Sequence, residues 1–139
     1  MKIYCDGIYD LFHAGHVTTL KYIKNMYNDV YLVVGLISDN DATSYKRAPI
    51  INETNRQIIL ESCKYVNEII PNAPLIITKD FINLHKIDLV VHGFADPSDE
   101  KNQGEFFRES KELGKFKIIP YSSIESTTAI IKRIRSNDY

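Results

Sequence analysis

Two imidazoles three residues apart, in His13-Ala14-Gly15-His16, carry the strongest chemical signal in the chain. Residues 3–5 before them are short and apolar and stop at Asp6-Gly7, as a buried strand ended by a turn does. After them Val17, Leu20, Ile23 and Met26 recur three apart, the spacing of one helical face. The pair therefore falls at a strand-to-helix junction, where unpaired N–H groups and the helix dipole favour an anion. Histidines at i and i+3 share one side of a first turn. They can add protonatable donors to a phosphate seat. Metal ligation would need a third ligand, which His92 could supply in principle. Rings that only cap the helix or pack in the core are the remaining alternative.

Other residues of chemical interest are spread along the chain. Gly7 allows close approach of backbone to a ligand, and Gly15 allows tight packing of the helix start. Lys46 and Arg47 in a polar stretch suit stabilisation of a charged transition state, or form a solvated surface pair. Arg56, near the start of a helix capped by Asn52, opposes the dipole there. It either has an anionic partner or is solvated. Residues 122–128, Ser-Ser-Ile-Glu-Ser-Thr-Thr, lead into the last helix and form either an N-cap or a second phosphate cradle. Dinucleotide-binding GxGxxG, Walker A and GxSxG patterns are absent, which leaves phosphoryl or nucleotidyl chemistry.

The elements that must position these residues alternate. Strands are expected at residues 3–5, 30–36, 66–70, 88–92 and 116–119. Helices are expected at 17–26, 53–63 (with Ile58, Ile59 and Ser62 inward), 79–85, 105–113 (closed by Gly114) and from 126 onward. Residues 38–49 and 95–103 read as polar loops. This pattern predicts an α/β fold, a single doubly wound, mostly parallel five-stranded sheet with helices on both faces, in which ligands sit beyond the carboxyl ends of the strands. With 139 residues the chain fits one domain, residues 1–139. A net charge of −1 excludes a global attraction to nucleic acid or acidic membrane, so any anion site is local. No signal peptide is expected. The two cysteines, Cys5 and Cys63, read as buried free thiols in a reducing, cytoplasmic setting.

At this point the chain resembles a known family. Residues 6–16, Asp-Gly-Ile-Tyr-Asp-Leu-Phe-His-Ala-Gly-His, are similar to the HxGH signature of nucleotidyltransferases, in the longer form of the choline-, ethanolamine- and glycerol-phosphate cytidylyltransferases. Residues 64–70, Lys-Tyr-Val-Asn-Glu-Ile-Ile, resemble the family's RYVDEVV segment, and Lys46 to Glu53 with Arg56 resembles its lysine loop and following helix. The resemblance covers nearly the whole chain and implies transfer of CMP from CTP, with Mg²⁺, to a small phosphomonoester. It implies His13, His16 and Lys46 as catalytic residues. Nucleotide binding would fall to Gly7, Ile8, Tyr9, His13, Gly15, His16, His92, Gly93, Ser126, Thr127 and Thr128, and substrate binding to Asp6, Lys46 and His92. It also implies a homodimer, with neither nucleic acid nor a stable membrane anchor as partner.

Two departures bear on substrate. In place of the arginine of the family's RTEGIST segment stands Tyr121 or a neighbour. After Asn72-Ala73-Pro74, where the choline enzymes carry Trp, stands Leu75, and Phe106 or Phe107 falls at a cage tyrosine, while Asp6 is retained. A primary ammonium depends less on an aromatic cage than a quaternary one, so phosphoethanolamine is expected before phosphocholine. Glycerol 3-phosphate, adenylyl transfer, and a non-catalytic nucleotide-binding or pairing domain are the alternatives. The lipid-responsive helix of the choline enzymes has no counterpart before the sequence closes, so lipid regulation of that type is expected to be absent.

Overall fold

Short runs of Ile, Leu and Val build the sheet in the computed structural model, which describes residues 1–137. Strands β1 (Lys2–Gly7), β2 (Tyr31–Leu36), β3 (Glu68–Ile70), β4 (Leu89–His92) and β5 (Phe116–Ile118) lie in the order β3-β2-β1-β4-β5, every pair parallel. Side-chain alternation gives the sheet two apolar faces. Ile3, Cys5, Leu32, Val34 and Val91 pack on one side with Leu20, Ile23 and Leu60. Tyr4, Val33 and Val90 pack on the other with Ile77, Ile82 and Phe107. Such faces suit strands buried on both sides.

The helices are α1 (Ala14–Lys24), α2 (Asp39–Tyr45), α3 (Glu53–Glu61), α4 (Lys79–Leu84), α5 (Pro97–Gln103), α6 (Arg108–Glu112) and α7 (Thr127–Ser136), with a 3₁₀ turn at Gly104–Phe107 before α6. Two of them fall where loops were expected. In α2 Ser38 accepts the Asp41 N–H at 3.1 Å and Asp39 and Asp41 occupy the first turn, but only Ala42 is buried. In α5 Asp96 caps, Pro97 opens the helix and only Gln103 is buried. Both helices are short and polar, so apolar periodicity could not report them; their caps, Ser38 and Asp96-Pro97, are the signal that could have. The expected helix at 105–113 divides into the 3₁₀ turn and α6. In α3 the inward residues are Arg56 and Leu60; Ile58 and Ser62 are exposed and Ile59 is half-buried. Cys5 is a buried free thiol, while Cys63, also free, is only half-buried.

Register decides where the sheet opens. β1 pairs with β2 along its whole length, from Lys2 opposite Tyr31 to Gly7 opposite Leu36. Against β4 it pairs only at Ile3 and Tyr4. Beyond Tyr4 the two strands part, and this is also where the winding order reverses, the position at which such sheets take ligands.

Candidate active site

The crevice between the ends of β1 and β4 widens into a cleft of about 700 Å³. Every residue expected to bind nucleotide or substrate lines it: Asp6, Gly7, Ile8, Tyr9, His13, Gly15, His16, Lys46, His92, Gly93, Ser126, Thr127 and Thr128.

The two histidines meet it from the start of α1. His13 is the N-cap, and its Nδ1 accepts the Gly15 N–H at 3.0 Å. His16 Nδ1 accepts the His13 N–H at 3.2 Å, so each ring closes one half of a reciprocal cap. The rings stack with centroids 3.9 Å apart, and Phe12 covers the far face of His16 at 5.5 Å. Because each Nδ1 is an acceptor, each neutral ring carries its proton on Nε2. Burial lowers the pKa of both. His16 falls from 6.5 to about 4, with its neighbour His13 and Lys46 adding to the effect against the opposing pull of Asp10. His13 is lowered by burial and partly restored by Glu125. Capping occupies Nδ1 of each ring and leaves Nε2 outside the cap. The rings are neutral N–H donors rather than cations.

His13 Nε2 lies 3.3 Å from Thr127 Oγ1, which in turn donates to the Asp10 carbonyl at 3.1 Å. Thr127 therefore accepts from His13 and ties the start of α7 to the loop after β1. Ser126 is spent as the α7 cap, accepting the Ala129 N–H at 3.0 Å. Gly15 serves this junction: a Cβ there would stand 2.7 Å from the Glu125 carbonyl oxygen and 2.8 Å from His13 Cε1. At Gly7 a Cβ would meet the Tyr9 ring at 2.8 Å. Tyr9 (φ 55°) and Leu11 (φ 50°) adopt the left-handed region, which compresses the turn between β1 and α1. Tyr9 turns its phenol inward, 3.5 Å from Cys5 Sγ, and burial pushes that thiol up to about 12.

Sequence reasoning missed Asp10. It is 5% exposed, and its carboxylate accepts the N–H groups of Ile50 (2.8 Å), Ile51 (2.9 Å) and Leu11 (3.1 Å), pinning the far end of the loop that carries Lys46. Arg56 has an anionic partner after all. It is buried, its Nη2 donates to Asp39 Oδ1 at 2.6 Å, and its other N–H groups reach the Ile8, Ile37 and Ile51 carbonyls. Across the crevice, Asp6 Oδ1 lies 3.6 Å from His92 Nδ1, both side chains largely buried, and His92 sits among Phe94 and Phe107. Among the described residues no group of three or more His, Cys, Asp and Glu could hold a metal ion.

Comparison with known proteins places these motifs in a family. The family described as cytidylyltransferase-like matches residues 4–133. Choline-phosphate cytidylyltransferase 2 of Arabidopsis thaliana is 36% identical over 135 residues, 96% of this chain and 44% of that protein. Human choline-phosphate cytidylyltransferase A is 36% identical over 134 residues, 96% of this chain and 36% of that one. Mouse ethanolamine-phosphate cytidylyltransferase is 34% identical over 137 residues, 97% and 34% of the two chains. The chain thus spans less than half the length of these relatives. Among solved structures, the lipopolysaccharide core biosynthesis protein of Thermoplasma volcanium GSS1 matches with a TM-score of 0.69 and 25% identity, over 90% of this chain and 98% of that one.

Proposed function

The chain belongs to the cytidylyltransferase-like family, and from that premise we propose that it transfers CMP from CTP to a small amino-alcohol phosphate, phosphoethanolamine before phosphocholine. The observation that carries the proposal is the convergence of two Nε2–H donors, the α7 start and the Lys46 loop on one cleft. A phosphomonoester oxygen attacks the α-phosphorus in line; the new O–P bond forms as the bond to the bridging oxygen breaks, and pyrophosphate leaves with that electron pair. His16 donates to the oxygens on which charge accumulates, and His13 joins it by exchanging its Nε2–H from Thr127 Oγ1 to phosphate. Lys46 neutralises the phosphates it reaches, and Ser126, Thr127 and Thr128 present the N-terminal end of α7 to the outgoing ones. Gly7, Ile8 and Tyr9 approach the nucleotide through backbone. Mg²⁺ enters with CTP as part of the substrate complex, held chiefly by phosphate oxygens and water.

Asp6 and His92 line the substrate end, and carboxylates at Asp96 and Asp99 line the same cleft. Anionic surroundings of this kind favour an amine over the uncharged head of glycerol 3-phosphate, and the chain has no Trp for a quaternary cage. Purified protein given CTP, Mg²⁺ and each of the three phosphomonoesters should release pyrophosphate, fastest with phosphoethanolamine. No release from any of them by folded protein sinks the reading. Tyr121 lines the cleft where the resemblance calls for arginine, and this favours a second reading, a nucleotide-binding or pairing domain without turnover. Calorimetry with CTP separates the two, and competition by ATP tests the choice of base. We further infer a homodimer in the cytoplasm. Sedimentation at micromolar concentration and cell fractionation check both. No described helix is long and apolar enough to cross a membrane.

A further inference from the structure

We propose that Arg47 is a ligand of the two outer phosphates of the nucleotide, so that it governs CTP affinity and pyrophosphate release rather than the chemical step. The inference deepens the reading above and rests on it. The argument begins with charge. Among the described residues that line the cleft, the only Lys or Arg side chains are Lys46 and Arg47. The carboxylates on the same lining, Asp6, Asp10, Asp96, Asp99 and Glu125, outnumber them. The histidines at the phosphate end are half-buried, each accepts a backbone N–H on Nδ1, and burial lowers the pKa of both, so they act as neutral donors. Among the described residues that line the cleft, a fully ionised triphosphate therefore meets formal positive charge only on this loop.

The nearby carboxylates do not compete for it. Asp10 is saturated by backbone N–H groups, and Glu125 is bridged by Arg133 at 2.8 Å. Asp96 caps α5, and Asp99 accepts the Ala95 N–H. Lys46 has an aromatic neighbour, its Nζ standing 5.8 Å over the Tyr45 ring. Arg47 is exposed, makes no ion pair or hydrogen bond within the described residues, and still faces the cleft.

The segment that carries Arg47 is anchored at both ends. The Lys46 N–H closes α2 on the Ala42 carbonyl at 2.9 Å, and the Ile50 and Ile51 N–H groups are held by Asp10. Between these anchors Pro49 keeps Ala48 extended. So short a tether limits the backbone freedom that binding must remove and leaves the side chain's own rotamers as the ordering cost. Its planar fork matches the terminal oxygens of the outer phosphates, which remain anionic throughout and depart as pyrophosphate.

The test compares the wild-type chain with Arg47→Ala and Arg47→Lys, reading KM for CTP, inhibition by inorganic pyrophosphate, and CTP binding by calorimetry. Arg47→Ala should raise both KM for CTP and the inhibition constant of pyrophosphate by roughly 10-fold, the loss typical of a charge-assisted pair. It should leave kcat within about threefold and KM for the phosphomonoester unchanged, while Arg47→Lys recovers only part because an ammonium lacks the fork. CTP and pyrophosphate affinities within twofold of wild type in a stably folded Arg47→Ala protein overturn the proposal. Wild-type protein that turns over no CTP but binds it overturns the catalytic reading alone, and the calorimetric comparison then decides Arg47. Wild-type protein that binds neither CTP nor pyrophosphate overturns both.

Discussion

An imidazole whose Nδ1 is committed to a backbone N–H keeps one donor on Nε2; His13 gives its own to Thr127 Oγ1 at 3.3 Å, and His16 carries the other on the same cleft lining. His16→Ala should therefore lower kcat by roughly 10²-fold, as loss of one preorganised donor to a developing oxyanion does; a loss below about threefold in steady-state assays would reduce the residue to a cap. The same burial leaves a thermodynamic trace. The folded-state pKa of His16, about 4, lies below its unfolded value of 6.5, so the unfolded chain binds the extra proton first. Stability associated with this ring is complete above about pH 6.5 and is lost as pH falls toward 4. Urea midpoints measured across that window should decline less steeply in His16→Gln than in wild type. The histidines were legible because their spacing and place at a strand-to-helix junction are local properties. Asp10 and Arg56 were not: Asp10 finds two of its three N–H groups about forty residues away, and Arg56 is bonded to carbonyls on three separate segments. Only the fold creates those partners.

Elements carry their function through what they hold together. The start of α1 and the segment before α7 touch at Gly15, where no side chain fits against the Glu125 carbonyl. Gly15→Ala must displace backbone, and the segment that yields carries Thr127 away from His13. Overpacking of this kind costs about 1–3 kcal/mol, and here kcat should fall by more than that stability loss predicts; urea unfolding and turnover on one preparation check the pair of effects. Helix α3 holds the loop after β1 in place through Arg56. Arg56→Met would leave Asp39 without its cation and strand three carbonyls, one of them the Ile8 oxygen in the turn after β1. A destabilisation of about 3–5 kcal/mol is expected, read from the denaturation midpoint. Long apolar strands and the periodic α1 were readable in sequence, whereas α2 and α5 were not, since each buries a single residue and leaves no face to detect.

At the scale of the molecule, one sheet serves both cores, and this has a consequence for how ligand and fold are linked. Ile3 and Cys5 face one cluster while Tyr4, between them, faces the other, and β2 and β4 divide their residues likewise. Neither face can lose its packing without exposing the strands that support the other, so the described chain should unfold as a single cooperative unit. Tyrosine reports on both sides, Tyr4 within one cluster and Tyr9 packed against the other, with no Trp to obscure it. Far-ultraviolet circular dichroism and tyrosine fluorescence should then give coincident urea transitions. The cleft lies where β1 and β4 separate and draws on α1, α7 and the loop after α2, so the proposed CTP site exists only in the assembled sheet and not in its parts. By mass action, CTP at a hundred times its dissociation constant should raise the unfolding free energy by about 2.7 kcal/mol and shift both signals together. Inorganic pyrophosphate should do so more weakly, because it lacks the nucleoside that the proposal sets against Gly7 to Tyr9. A CTP-induced shift in one signal alone would mean that the two faces are separate units, and that the crevice is not the hinge on which binding and folding are joined.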